Sequence, residues 1–203
     1  LKSKFVTLAS HEFRTPLATI SSSASLIGKY TSTELQPKRD KHINRIQSSV
    51  KHLTNILNDC LSLGKLEEGQ VKNTPAIFSV CELCSEISEE IEGQLKDGQK
   101  IRHSHGGAEE EVLLDKKLLK NALIIMLSNA MKYSDENQFI ELKTEISSST
   151  VKISVKDNGI GIPVEDQAML FSRFYRASNT GNIQGTGMGL NILKKYVDLM
   201  GGE

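Results

Sequence analysis

Apolar residues recur along the first third of the chain at helical spacing. Phe5, Ala9, Phe13, Leu17, Ile20, Ala24 and Ile27 step by four or three and draw one stripe. The stretch KYTSTELQP (29–37) breaks that period and supplies Pro37, a residue suited to open a helix. A second stripe follows. Ile43, Ile46, Val50, Leu53, Leu57 and Cys60 alternate steps of three and four, the a/d seam of a heptad, and Ile56, Leu61, Leu63 and Leu66 widen it. Two long helices joined by a turn predict a hairpin. One hairpin cannot bury two such surfaces, so two copies are expected to form a four-helix bundle.

The pattern changes after EEGQVKNTPAIFS (67–79), whose Gly, Asn and Pro read as a linker. VCELCSEISEEIEGQL and DKKLLKNALIIMLSNAMKYS have helical periods. KIRHSH and EVLLD are short strand candidates, and FIELKTEIS and TVKISVKD alternate as strands around a turn at 147–149. A Gly-rich stretch and a last helix, LNILKKYVDLM, complete the chain. This mixture predicts a sheet covered by helices. The division expected is a helical region over 1–68, a linker over 69–78 and an α/β region over 79–203.

Composition adds exclusions. Lys+Arg and Asp+Glu balance at 25 each, so no charge excess points to nucleic acid or an anionic membrane. No apolar run reaches the ~18 residues of a bilayer span, and no signal peptide opens the chain. Leu1 already stands in a helical pattern, which suggests part of a longer protein. Three cysteines fit a reducing compartment better than a disulfide framework.

Candidate chemistry begins at SHEFRTPL (10–17). His11 lies two residues from both Ala9 and Phe13, about 200° round the helix, and so faces away from the apolar stripe. Thr15 stands one turn on, on the same face. Pro16 sits inside the pattern, at a place where proline costs ~3 kcal/mol in a helix, and suggests a bend. Glu12 is adjacent to His11, not at a metal-ligand spacing. Cys81-x-x-Cys84 with His103 and His105 is a second metal candidate, but a Cys pair inside an apolar helical period reads better as packing.

In DNGIGIP (157–163), period two from Val151, Ile153 and Val155 puts Asp157 on the inward side, where a carboxylate needs a donor such as an adenine amine. Gly159 and Gly161 allow close approach to a flat ligand, although a plain turn explains DNG equally well. GTGMGL (185–190) precedes a helix and can bind an anion through backbone N–H groups. Asn129 interrupts the stripe of Leu118, Ala122 and Ile125; its amide oxygen could take a hard cation such as Mg²⁺ or simply a backbone partner.

Together these stretches resemble the core of two-component sensor histidine kinases. FVTLASHEFRTPL is similar to that family's phospho-acceptor motif, LSNAMKYS to its Asn motif, DNGIGIP to its adenine motif, LFSRFYRA to its Phe-containing lid motif and GTGMGL to its glycine lid motif, in the family's order. The resemblance implies a helical hairpin forming a dimeric four-helix bundle, then an α/β sandwich ATP-binding domain of the Bergerat type, the fold shared with gyrase, Hsp90 and MutL. It implies ATP and Mg²⁺ as cofactors, a homodimer, a response regulator as partner and a cytoplasmic location, with any membrane attachment outside this region. His11 would be the nucleophile, Glu12 its base, and Thr15 would serve the reverse phosphatase activity. Asn129 would hold Mg²⁺. Lys132 and Tyr133 would lie near phosphates or ribose, and Asp157 with Gly159 and Gly161 would hold adenine. A lid over about 164–189 would dock through Phe171 and Phe174. Arg176, or alternatively Arg173, would stabilise the γ-phosphate. Gly185, Thr186, Gly187, Gly189 and Leu190 would wrap the phosphates.

Two departures stand out. Ile125 occupies a position where the family usually has a second Asn, and the chain stops at GGE (201–203), where the family continues with further strands. The ATP-binding domain is therefore expected to be truncated. Two other functions are set against the kinase: a nucleotide-binding scaffold without catalysis, and an ATPase that drives conformational work.

Overall fold

The computed structural model describes residues 2–107, 111–147, 150–181 and 183–203; of residues 2–9 and 11 it describes the backbone alone. Two compact units divide the chain. One comprises residues up to Glu67 with Gln184–Thr186, the other Glu68–Ile183 with Gly187–Glu203.

The first unit is a hairpin of α1 (Lys2–Lys29) and α2 (Gln36–Glu67), joined through a 3₁₀ turn at Thr33–Leu35. Pro37 stands second in α2, where its missing N–H leaves no helical bond unmade. Pro16 lies inside α1 and is buried, and the helix continues past it to Lys29. The turn is closed by Arg39, whose Nη1 donates to the Tyr30 carbonyl at 2.5 Å.

The row that packs within the hairpin differs from the apolar seam read in the sequence. His42, Ser49, Ile56 and Leu63 are the buried residues of α2 and repeat every seven. Ile43, Val50 and Leu57, taken from sequence as seam residues, are 40, 49 and 50% exposed. On α1, Pro16 and Ser23 are buried, whereas Leu17 and Ala24, one residue on, are exposed. Ser23 Oγ and His42 Nδ1 meet at 3.3 Å in this row, and the Tyr30 ring lies 5.8 Å from that of His42. Polar groups with partners close part of the hairpin, and the purely apolar row faces outward.

The second unit is α/β. Its elements are β1 (Ala76–Ser79), α3 (Val80–Ile91), β2 (Lys100–Gly106), β3 (Glu111–Leu114), α4 (Lys116–Tyr133), β4 (Phe139–Ile146), β5 (Val151–Lys156), the short α5 (Val164–Gln167) and α6 (Gly189–Leu199). The segment Ala76–Ser79, read above as the end of a linker, is a strand: β1 pairs antiparallel with β3, and Phe78 packs against the core opposite Val112. A four-residue strand flanked by Pro75 and a helix is too short for alternation to reveal.

β2 runs parallel to β4, and β4 antiparallel to β5. The parallel pair requires a crossover, which α4 provides. Val80, Leu83, Cys84, Ile87 and Ile91 of α3 pack with Leu119, Leu123, Leu127, Ala130 and Met131 of α4 over Ile140 and Leu142 of β4. Cys84 is fully buried there, and burial together with the charge of Cys81 pushes its thiol up to about 12. His103 and His105 lie apart from the cysteines' packing and share the Thr144 hydroxyl, at 3.1 and 2.8 Å. Among the described residues no group of three or more His, Cys, Asp or Glu side chains is placed to hold a metal ion.

Both ends of α4 are fastened. Asp115 caps its start by accepting from Lys117 N–H (2.9 Å) and Leu118 N–H (3.0 Å), and it also takes Thr74 N–H at 2.8 Å. At the other end Gln99 Nε2 donates to the carbonyls of Met131 (3.1 Å) and Asp135 (3.0 Å), and Lys96 Nζ to those of Lys132 (3.1 Å) and Ser134 (2.5 Å). These groups satisfy carbonyls that a helix end leaves without partners.

Among the described residues β3 pairs with β1 alone and β5 with β4 alone. Residues of both strands, with Leu123 and Met126 of α4 and Val197 of α6, line a groove of about 1290 Å³. Two strand edges beside an apolar floor are the features that further sheet would cover. No described helix is long and apolar enough to cross a membrane.

Candidate active site

The last turns of α4 carry Ile125, Asn129, Lys132 and Tyr133, all half-buried. Lys132 Nζ lies 3.2 Å from the Tyr133 hydroxyl and 4.6 Å from the ring centroid. The DNGIGIP loop is fastened to this end of α4. Ile160 N–H donates to the Tyr133 carbonyl at 3.3 Å. A Cβ on Gly159 would stand 2.4 Å from that carbonyl oxygen and 2.7 Å from Asp157 Oδ1, so only glycine permits the approach.

Asp157 departs from the sequence expectation. β5 ends at Lys156, so the strand period does not extend to Asp157, which is exposed and opens a turn by accepting Gly159 N–H at 2.8 Å. The loop thereby places Gly159, with Asp157 bonded to it, beside Tyr133 at the end of α4, the helix that also carries Asn129 and Lys132.

The next segment folds around a carboxylate that the sequence did not single out. Asp166, in α5, is 6% exposed. Its Oδ1 accepts the Tyr175 hydroxyl at 2.5 Å, and its Oδ2 accepts Ser178 N–H at 2.7 Å and Ser178 Oγ–H at 2.8 Å. The bond from Tyr175, then those from Ser178, hold its carboxyl below the usual carboxylate range, while the same bond raises the Tyr175 hydroxyl. Asn179 Nδ2 reaches back to the carbonyls of Ile160 (3.2 Å) and Gly161 (3.0 Å).

Of the aromatic pair, Phe171 is 48% exposed, and its carbonyl accepts Asn191 Nδ2 from α6 at 2.8 Å. Phe174 is half-buried with φ at 60°, the left-handed region that a bulky side chain rarely adopts. Gly187 lies directly against it: a Cβ there would be 2.6 Å from the Phe174 carbonyl carbon and 2.8 Å from the Tyr175 oxygen. Arg176 is half-buried; its Nη2 donates to the Ile183 carbonyl, and its Nε is buried without a partner. Arg173 is exposed. Gly189 begins α6 beside Ile125, whose Cγ2 would lie 3.5 Å from a Cβ at that glycine, and Leu190 is half-buried in the same helix.

Other candidates fall elsewhere. Gly185 and Thr186 group with the helical unit, where the Thr186 hydroxyl donates to Asp59 at 2.7 Å. On α1, Glu12 is half-buried and Thr15 exposed; the side chain of His11 lies outside the described residues. Sequence reasoning missed Asp166, Asn179, Asn191 and Gln99. All four act on atoms remote in sequence, or on backbone groups, and no periodicity marks such contacts.

The comparisons with known proteins bear on both units. Residues 1–69 match the family described as "His Kinase A (phospho-acceptor) domain". Residues 114–203 match "Histidine kinase-, DNA gyrase B-, and HSP90-like ATPase". The chain carries the phospho-acceptor and ATPase domains of a sensor histidine kinase core. Among curated relatives of this kinase core, the signal transduction histidine-protein kinase ArlS of Staphylococcus haemolyticus is 32% identical over 98% of the chain and 44% of its own length. BarA of Escherichia coli is 34% identical over 100% of the chain and 23% of its own length. In structure, the core superposes on histidine kinase ThkA, solved in complex with response regulator protein TrrA, with a TM-score of 0.74 at 21% identity, over 98% of the core and 55% of that chain. The first curated relatives are longer proteins, of which this core spans 28 to 44%.

Proposed function

We propose that this chain transfers the γ-phosphoryl group of ATP to His11 and then to an aspartate of a response regulator. One observation carries the nucleotide half of the reading: Gly159 lies against the Tyr133 carbonyl, so the DNGIGIP loop is held against the end of α4 that carries Asn129, Lys132 and Tyr133. The phospho-acceptor family match over residues 1–69 supports the histidine half.

In this reading an unprotonated imidazole nitrogen of His11 attacks the γ-phosphorus. The N–P bond forms as the bond to the β,γ-bridging oxygen breaks, and ADP leaves. Glu12, the next residue on α1, takes the proton from the other ring nitrogen. The phosphoryl group then passes to a carboxylate oxygen of the regulator's aspartate, and the imidazole is restored. ThkA, solved with its response regulator, supports that class of partner. Thr15, exposed one turn from His11, would orient water for the opposing phosphatase activity, in which water attacks the regulator's aspartyl phosphate and inorganic phosphate leaves.

Asp157 would accept from the adenine amine, with Gly161 beside it, and Lys132 would approach the phosphates. Gly185, Thr186, Gly187, Gly189 and Leu190 would border the phosphates, and Phe171 and Phe174 would anchor the lid. The Asn129 amide would supply one oxygen for Mg²⁺, and Ile125 would supply none; an ion that gives up its own waters reluctantly needs no more than one or two protein ligands, which this set fits. When bound, the ion offsets phosphate charge.

The outward row Ile43, Val50 and Leu57 would join two copies as a four-helix bundle. The test is incubation with γ-labelled ATP and Mg²⁺. Acid-labile label on wild type, and none on His11→Ala or Asn129→Ala, is expected. Steady ATP turnover indifferent to His11→Ala would replace this reading with an ATPase. Nucleotide binding without label would replace it with a scaffold.

A further inference from the structure

The Asp166 carboxylate uses both oxygens on residues nine and twelve positions away, and none of those bonds serves the four-residue helix it stands in. A helix cap would bond to the N–H groups of its own first turn. Asp166 instead ties the segment that leaves DNGIGIP to the loop carrying Tyr175, Arg176 and Ser178. That loop needs an anchor, because it passes through Phe174 at φ 60°. It is gripped from two sides, by Asp166 on Tyr175 and Ser178 and by the bare Cα of Gly187 on the Phe174 backbone. Arg176 lies between the two residues that Asp166 holds. Its Nη2 is engaged by the Ile183 carbonyl, and its Nε is buried without an acceptor. A guanidinium held by its backbone on both flanks, with a donor left over, is preorganised for an anion.

We propose that Asp166 is a positioning residue for Arg176: by clamping Tyr175 and Ser178 it sets the arginine where it meets the terminal phosphate of ATP. The inference rests on the ATP-binding reading above and adds a residue to it. ADP lacks the phosphate in question. Loss of the clamp therefore weakens ATP more than ADP, whereas general damage to the pocket weakens both.

The experiment measures ATP and ADP affinities of the intact protein, and its labelling rate, for wild type, Asp166→Ala, Asp166→Asn, Tyr175→Phe and Arg176→Ala. Misplacing a group that contacts the reacting phosphate costs up to ~100-fold. Asp166→Ala is expected to lose ~10-fold or more in ATP affinity and labelling rate, with ADP affinity within about twofold. Asp166→Asn keeps one acceptor oxygen and should recover part of the loss, and Tyr175→Phe should fall between it and wild type. In the double variant with Arg176→Ala the losses should not add, since both remove one arrangement. Amide exchange should quicken over 174–180 and stay unchanged across α4. Equal losses for ATP and ADP, or additive losses in the double variant, would overturn the proposal. So would Tyr175→Phe and Asp166→Asn both behaving as wild type, which decides the matter even where the alanine variant unfolds. If wild type takes up no label yet the ATP-to-ADP affinity ratio drops in Asp166→Ala, phosphotransfer fails and the clamp stands.

Discussion

The two units solve the burial problem in opposite ways. The α/β unit closes a core of its own: Leu83, Ile87, Leu127, Ile140 and Leu142 each reach 0% exposure between two helices and a sheet. The hairpin buries four residues of the 32 in α2, two of them His42 and Ser49, and leaves Ile43, Val50 and Leu57 outside. An apolar heptad row on the outer face of a hairpin contributes nothing to a lone copy. Its stabilising effect requires a second surface. The α/β unit therefore carries its stability in itself, and in the proposed dimer the hairpin would draw a share of its own from association.

The strongest way to break that contrast is through the closed core. Leu127→Ala removes a fully buried side chain and should destabilise the α/β unit by about 2–5 kcal/mol, the range for large-to-small changes in cores. Denaturant unfolding should show the loss whether or not the protein is dimeric. Next comes the outer row. Leu57→Asp would place a charge where the proposed second hairpin packs and should weaken a dimer formed through this row ~100-fold or more, about 2.7 kcal/mol. Sedimentation across a concentration series reads this directly. A dimer of unchanged affinity would mean that copies associate through another face.

A smaller effect separates helix capping from core packing. Asp115 joins the start of α4 to Thr74, and burial, which would raise its carboxyl, is outweighed by the N–H groups of Leu118, Thr74 and Lys117, which hold it below the usual range. Asp115→Ala should cost about 1–2 kcal/mol, the range for loss of a strong N-cap. Because the folded carboxyl is the more acidic, its contribution is complete above the unfolded value of ~3.9 and disappears as pH falls below it. A variant with the wild-type acid slope would assign that slope to another carboxylate.

These contrasts also explain what the sequence disclosed. Long amphipathic helices and alternating strands state their burial in their own spacing, so α1 to α4, β4, β5 and α6 were legible, and five motifs in order pointed to the family. The hairpin's inner row was not, because Ser23, His42 and Ser49 look like surface residues until Ser23 meets His42 and Ser49 is buried on the same row of α2. β1 was hidden because four residues carry too little period. At the site, Asp157 was misplaced by extending the strand one residue too far, and Asp166 was overlooked because its partners lie nine and twelve residues away.

The smallest effect sharpens the comparison from the polar side, since each unit sets a histidine ring against a hydroxyl. In the sheet, His103 and His105 share the single hydroxyl of Thr144, which is wholly buried. That hydroxyl can donate to one ring nitrogen and accept from the other ring. Burial, and then the charge of His105, lowers the affinity of His103 for a proton. Between the unfolded value of ~6.5 and the lower folded one, the unfolded chain binds more protons than the folded chain, so stability rises with pH through that window and is complete above it. Acidifying from pH 7.5 to 5.5 should lower the unfolding midpoint of the α/β unit, and His103→Asn should flatten that slope while leaving the Asp115 slope, which lies at lower pH, in place. If the slope near pH 6 survives His103→Asn, the proton is taken up elsewhere, and the shared hydroxyl is a packing contact with no titration coupled to it.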